Sequence, residues 1–460
     1  MGDGRREHRS RRGFALIAVL WLMTVLSAVV LQASLFTRLH THATRNTTDG
    51  VLALFLARAG IERAVADLRL LQTRVVSLDE LRESETGVYC NVECGSGSYT
   101  LLTDNETLGN EPDYGIMDEC GRINLNEADQ TMLSSLPDVS PDLAAAIVQL
   151  RGDIEQIHEI GDLMMLEGAD AAMLYGEDSN GNGLLDPWED DGTESWPPDN
   201  ADGRLDRGIA QYLTCWSAVR NVTVDGEERV DISSADANEI TQKLPDVTRR
   251  QANSIVEHRN KHEFKSIADL LDVMLVEQRR GEEHQDDGDA DEDAEESESN
   301  REGGSSERSS DRGESRNGSN RSQTTSTNAF DTDAFKRIAD LVTISSDDVL
   351  KGRINVNTAP REVLACLPGV SEELAMEIEG ARGEGAFETV GDLLDVSGMT
   401  TETFKGICNH VSVRSDVFTA RSFGVLVAPD GSVAACRCVQ AVIDRTDEEA
   451  VRIVSWRELD

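Results

Sequence analysis

The strongest hydrophobic signal in the chain is an uncharged run from Phe14 to Phe36, FALIAVLWLMTVLSAVVLQASLF, preceded by the short basic and polar stretch MGDGRREHRSRRG. At ~1.5 Å per residue, a helix of that length crosses a bilayer core of roughly 30 Å. Beyond it, Leu35, Leu39, Leu52, Leu56, Ile61, Val65 and Leu68 keep largely to helical spacing, which predicts that one long helix continues past the apolar run. Strand-like segments then flank the middle of the chain. GVYCNVEC and GSYTLLTD come before it; SFGVLVAPDGSVAACRCVQAVIDR, with a Pro429-Asp430-Gly431 turn, and VRIVSWREL come after it. They predict a small sheet that begins near Val88 and is completed near the C-terminus, with the region between inserted into it.

That middle region repeats itself. GRINLNEADQTMLSSLPDVSPDLAAAIVQLRGD starts at Gly121, RVDISSADANEITQKLPDVTRRQANSIVEHRNK at Arg229 and GRINVNTAPREVLACLPGVSEELAMEIEGARGE at Gly352. Each copy carries a Leu-Pro hairpin (Leu136, Leu244, Leu367) and an arginine fifteen residues later (Arg151, Arg259, Arg382). Each then closes with a second unit: IGDLMML at Ile160, IADLLDV at Ile267 and VGDLLDV at Val390. The expected unit is helix, tight hairpin, helix, short helix. It resembles helix-hairpin-helix domains, many of which hold DNA phosphates on hairpin backbone amides. That use needs a G-x-G hairpin, so that the backbone can approach the phosphate. The hairpins here read Pro137-Asp138-Val139-Ser140, Pro245-Asp246-Val247-Thr248 and Pro368-Gly369-Val370-Ser371, so only Gly369 remains and two copies place an Asp there. The expectation is an all-α domain for subunit packing, with no nucleic-acid partner.

Charge supports that expectation. The chain has 86 acidic against 44 basic residues, a formal net charge of -42. Such a surface repels nucleic acid, attracts divalent cations and leaves membrane attachment to apolar contact. Much of the excess lies from Glu277 to Asn328, a Ser-, Gly- and acid-rich stretch nearly free of apolar residues. It cannot offset the entropy of ordering and is expected to be a disordered linker between the second and third repeats. Eight cysteines (Cys90, Cys94, Cys120, Cys215, Cys366, Cys408, Cys436, Cys438) form no CxxC…CxxC array; Cys90 with Cys94 is the candidate disulfide pair. No G-x-S-x-G, H-E-x-x-H or phosphate loop is present, and His158-Glu159 lacks the second His of a zinc helix. The expected class is a non-catalytic protein.

A loop between the first two repeats carries metal-binding chemistry. In GEDSNGNGLLDPWEDDG, numbered from Asp178, oxygen donors fall at positions 1, 3, 5, 9 and 12: Asp178, Asn180, Asn182, Asp186 and Glu189. Gly183 takes position 6, where the chain turns sharply, and Leu184 offers its carbonyl at position 7. That is the ligand pattern of an EF-hand calcium loop, with Pro187 disfavouring the usual exiting helix. Asn200, Asp202 and Asp206 repeat half of the pattern and form a weaker second candidate. The expected cofactor is Ca2+ in a structural role, cancelling the mutual repulsion of the loop carboxylates.

The N-terminus fixes the expected compartment. Arg5, Arg6, Arg9, Arg11 and Arg12 hold the leading end in the cytoplasm, so the remainder lies outside. A cleaved secretory signal would have a shorter core and a small-residue site, and Ser27 to Ser34 offers only a poor one. Ser10-Arg11-Arg12-Gly13-Phe14 resembles the start of a twin-arginine signal, and a plain anchor is a further alternative. The best resemblance is to a prepilin leader: basic residues ending in Gly13, then Phe14 as first mature residue at the head of the apolar run. Most pilin-like subunits carry Glu as fifth mature residue, pairing with a neighbour's N-terminal amine inside the bilayer, where an unpaired charge is expensive. Here that residue is Ala18, and among the pseudopilins that this leader resembles, such an absence implies the K-type subunit.

Taken with YGIMDECGRINLN and the terminal VSWREL, the order long helix, strands, helical insertion, final hairpin resembles the K-type minor pseudopilin of type II secretion over nearly the whole chain. The resemblance implies an α+β fold: a long transmembrane helix, a small antiparallel pseudopilin sheet and a large inserted all-α domain of helix-hairpin-helix-like repeats. The expected division is leader 1–13, membrane helix 14–36, pseudopilin helix and first strands 37–120, and helical domain with calcium loop 121–276. Linker 277–330, third repeat 331–410 and final strands 411–460 complete it. The implied role is assembly at the tip of the pseudopilus for export of folded proteins across the outer membrane. The implied setting is the inner membrane with the head in the periplasm. The implied partners are prepilin peptidase, the major pseudopilin and the I- and J-type minor pseudopilins. The alternative is a DNA-uptake or type IV pilus-associated helix-hairpin-helix protein.

Overall fold

The computed structural model describes residues 8–71, 76–82, 87–103, 113–196, 198–275, 327–447 and 450–459. Helix α1 runs unbroken from His8 to Leu71, so Gly13 and Phe14 lie within continuous helical backbone, and residues 1–7 of the expected leader fall outside the described residues. Its first half is bare: Leu16, Ile17, Trp21, Leu22, Leu26 and Leu31 are all exposed. One segment of this helix is long and apolar enough to cross a membrane. From Ala53 the helix buries one face, Ala53, Leu56, Ala57, Ile61, Ala64, Val65 and Leu68, at the three- and four-residue spacing that puts side chains on one side.

That face packs on a sheet. After helix α2 (Leu78–Leu81) come strands β1 (Val92–Cys94), β2 (Gly97–Leu102) and β3 (Met117–Asp118). The expected strand from Val88 is shorter at its start, because Asn91 takes a left-handed φ of 49° that extended backbone does not allow. None of the eight cysteines, Cys90 and Cys94 included, is in a disulfide.

The inserted region follows as three units of one plan. The first comprises strand β4 (Ile123–Asn124), helices α3 (Gln130–Ser134) and α4 (Pro141–Asp153), a 3-10 turn (Ile160–Met165), helix α5 (Ala171–Tyr175) and strand β5 (Leu213–Thr214). Strand β6 (Ala218–Arg220) leads on. The second has β7 (Val230–Asp231), α6 (Ala237–Lys243), α7 (Arg249–Lys261), a 3-10 turn (Ile267–Asp272), α8 (Thr332–Ile338) and β8 (Val342–Thr343). After β9 (Val349–Lys351), the third has β10 (Ile354–Asn355), α9 (Arg361–Ala365), α10 (Glu372–Glu384), a 3-10 turn (Val390–Asp395), α11 (Thr401–Ile407) and β11 (Val411–Ser412). In each unit the first and last strands pair in parallel: β4 with β5, β7 with β8, β10 with β11. All three share one apolar core, to which Leu133, Ile147, Ile240, Ile255, Leu364 and Ile378 belong.

This pairing moves the expected boundaries. The Asp178–Glu189 loop lies inside the first unit, between α5 and β5, not between two units. The acidic stretch, of which 277–326 lies outside the described residues, interrupts the second unit, because Val230 pairs with Val342 beyond it. Residues 331–348 therefore complete the second unit instead of opening the third. Residues 327–330 are structured as well: Asn328 bridges Met274, and Phe330 is buried.

The chain then returns to the sheet with β12 (Val417–Val427), β13 (Val433–Asp444) and β14 (Arg452–Leu459). The strand order is β1-β2-β12-β13-β14, antiparallel throughout, with β3 also on β12. The turn after β12 is the one expected at Pro429-Asp430-Gly431, with Gly431 at φ 86°. The molecule is thus an α+β protein in which a helical region is inserted into an antiparallel sheet carried by a long apolar helix.

Candidate functional site

The repeats supply their own reason for their shared residues. The Arg151 guanidinium donates to the carbonyls of Leu125 and Ala128, Arg259 to those of Ile232 and Ala235, and Arg382 to those of Val356 and Ala359. Each arginine thus staples its second helix to the turn after the first strand. The aspartate of each closing motif, Asp162, Asp269 or Asp392, accepts from two successive backbone amides ahead of its 3-10 turn. At the hairpins, Ser140, Thr248 and Ser371 cap the second helix. Asp138 takes a left-handed φ of 59° where the third copy has Gly369 at 75°. Asp246 faces Arg337 at 3.8 Å. The shared arginines are engaged by backbone carbonyls, and the hairpins carry acidic or neutral side chains.

The loop Asp178–Glu189 is closed on itself. Asp178 accepts from the Gly183 amide at 3.0 Å, Asn180 from Asn182 N–H at 2.9 Å and Asn182 from Leu184 N–H at 2.6 Å. The Glu189 carboxylate accepts from the amides of Ser179 and Asp186. Gly183, at φ 75° in the sixth position, is the sharp turn the pattern requires. Asp178, Asn182 and Glu189 are nearly fully buried, and burial pushes the Glu189 carboxyl up from its ordinary range. Asn180 and Asn182 turn their amide N–H groups onto Asp186, each at 2.9 Å. Among the described residues no three His, Cys, Asp or Glu side chains are gathered closely enough to hold a metal. The donor set here mixes carboxylates with two amides and a carbonyl, and a cation would replace the Asn–Asp186 bonds. Of the second candidate set, Asn200 and Asp206 lie at Glu177, whose carboxylate accepts from both backbone amides, while Asp202 is exposed and accepts from the Arg204 amide.

The structure adds a buried polar seam, absent from the sequence reading, where α1, the sheet and the repeats meet. Asp118 accepts from Ser415 and Thr358 at 2.6 Å and from Asn355 at 2.9 Å. Burial raises its carboxyl, and those three bonds oppose the rise. Glu119 accepts from Thr419 and Thr214 and faces Arg122 at 3.3 Å. Asp416 accepts from the Arg220 amide at 2.7 Å and forms an ion pair with Arg445, whose Nε lies 3.1 Å away. Arg445 also donates to the Leu68 carbonyl of α1 and the Ser415 carbonyl, and lies over the Phe418 ring. Only the DEC of YGIMDECGRINLN and Asp416 beside β12 hinted at this seam, and isolated acids carry no pattern.

Comparison with known proteins agrees with the repeats. The helix-hairpin-helix motif matches residues 225–283, which take in β7, α6, α7 and the 3-10 turn of the second unit, and residues 349–412, which take in the third unit. No curated protein matches the chain. The inserted region is therefore a helical region containing helix-hairpin-helix motifs.

Proposed function

We propose that this protein is a non-catalytic K-type minor pseudopilin, an assembly subunit at the tip of a type II secretion pseudopilus. The observation that carries the reading is the division of α1. Its uncharged segment is bare, and from Ala53 one face of the helix is buried on an antiparallel sheet into which the helical region is inserted between β3 and β12. A head built this way is anchored by one helix in the inner membrane and stands in the periplasm. Ala18 lacks the carboxylate that would pair with a neighbour's amine, which suits a terminal position in the fibre. The helix-hairpin-helix match favours one other reading, a DNA-uptake factor. Against it stand the net charge of -42 and arginines already bound to carbonyls.

One experiment separates the two. The full chain is co-expressed with prepilin peptidase and the I- and J-type minor pseudopilins, extracted in detergent and examined by intact mass and by size exclusion with light scattering. The expected result is a mature chain beginning at Phe14 in a one-to-one-to-one complex. A chain that keeps its leader and stays alone, or one that shifts only when DNA is added, overturns the proposal.

The Asp178–Glu189 loop is read as a structural calcium site, held by Asp178, Asn180, Asn182, Asp186, Glu189 and the Leu184 carbonyl. Calcium at a hundredfold above its dissociation constant should stabilise the protein by ~2.7 kcal/mol, and Asp178→Ala should remove most of that gain. Thermal melts in calcium and in chelator check this. Identical curves for wild type and variant would make the loop a turn only.

A further inference from the structure

At the end of α7, in the second unit, the imidazoles of His258 and His262 lie with ring centroids 5.3 Å apart, tilted by 50°. An ion holding two imidazole nitrogens at about 2.0–2.1 Å in tetrahedral geometry sets their centroids roughly 5 Å apart. His258 is half-buried, with Phe264 stacked on its ring at 5.2 Å and 28°, so it is held in place before any ion arrives. His262 ends the helix and is exposed, leaving the pair open to solvent.

The scaffold does not require these rings. Counting from the stapling arginines, the first unit has Leu150 and Ile154 at the same two positions, and the third has Ala381 and Gly385. In all three units the second of these positions is the residue that ends the helix. Three copies of one fold thus form with or without imidazoles there, so packing alone does not explain a matched pair in one copy.

We propose that His258 and His262 form a two-point chelate for a borderline divalent ion of the Zn2+ class, distinct from the oxygen-lined loop. Nitrogen donors select zinc or copper over calcium and magnesium, which prefer oxygen. Among the described residues no third His, Cys, Asp or Glu completes the set, so water fills the remaining positions.

The test uses the full chain in detergent micelles with calcium in excess. Histidines are carbethoxylated with diethylpyrocarbonate and mapped by mass spectrometry, with and without ZnCl2. Zinc should protect His258 and His262 while leaving His40 and His42 reactive, and MgCl2 should protect neither pair. By titration calorimetry His262→Ile should weaken zinc binding by at least ~10-fold, since even indirect support of a metal ligand is worth that much. The first unit shows that the fold accepts isoleucine at this position. Unchanged reactivity in zinc, or equal zinc binding by wild type and His262→Ile, overturns the proposal; the latter assigns the zinc to thiols.

Discussion

Replacing Gly424 with alanine should destabilise the protein by about 3 kcal/mol and loosen α1 from its sheet, since a methyl forced into a closed contact acts as overpacking. A β-carbon on Gly424 would lie 2.0 Å from the Ala53 carbonyl oxygen and 2.3 Å from the Ala57 nitrogen. Both are backbone atoms of a helix, so neither swings aside as a flexible side chain would. The contact recurs between helix and sheet: a β-carbon on Gly60 would meet Ser422 Oγ at 2.1 Å, and one on Gly97 would meet Leu56 Cδ1 of α1 at 2.6 Å besides the Val425 carbonyl of the neighbouring strand at 2.2 Å. Small residues let the helix lie directly on β12 and β2. Chemical denaturation of the full chain, with amide exchange across β12 and β13, gives the readout. Gly380→Ala is the control, because it lies in α10 with nothing within 4 Å and should be stabilising by up to ~1 kcal/mol. If Gly424→Ala unfolds with the wild type, the close approach of helix and sheet is wrong.

Asp416→Ala should cost about 3–5 kcal/mol, the usual consequence of removing one partner from a buried ion pair. Asp416 and Arg445 are both nearly fully buried, 3.1 Å apart, and Arg220 approaches the same carboxylate at 3.5 Å. Burial pulls the Arg445 guanidinium below its ordinary value, and Asp416 is the largest influence opposing that fall. Without the carboxylate, the Arg445 guanidinium keeps the Leu68 and Ser415 carbonyls and the Phe418 ring, but it faces the Arg220 cation with Asp118 as the remaining acid acting on it. The double variant Asp416→Ala/Arg445→Met removes both charges and should recover a large part of the loss. Equal destabilisation by single and double variants would mean that Arg445 contributes through shape alone.

What was legible in the sequence was whatever repeats over a short distance. The uncharged run and the spacing of Leu56, Ile61, Val65 and Leu68 announce α1 and its buried side. Alternation and a Pro-Asp-Gly turn announce β12 and β13, and the Leu-Pro hairpins with their arginines announce the three units. The turn at Gly183 was readable because a glycine among short polar residues marks a left-handed bend. Each of these depends on which face a residue turns, and local geometry decides that.

The rest required pairings between distant segments. Thr332–Ile338 looks like the start of the third unit because it follows the acidic stretch. It belongs to the second because Val230 finds Val342. Arg445 reaches the carbonyl of Leu68, 377 residues away. The histidine pair is visible as a spacing of four, but its separation depends on how α7 ends and on Phe264 packing beside it. A sequence alone determines which residues seek burial and where the chain turns. Which buried charge meets which partner is decided by tertiary structure, because an ion pair stabilises only when both groups leave water together at bonding distance.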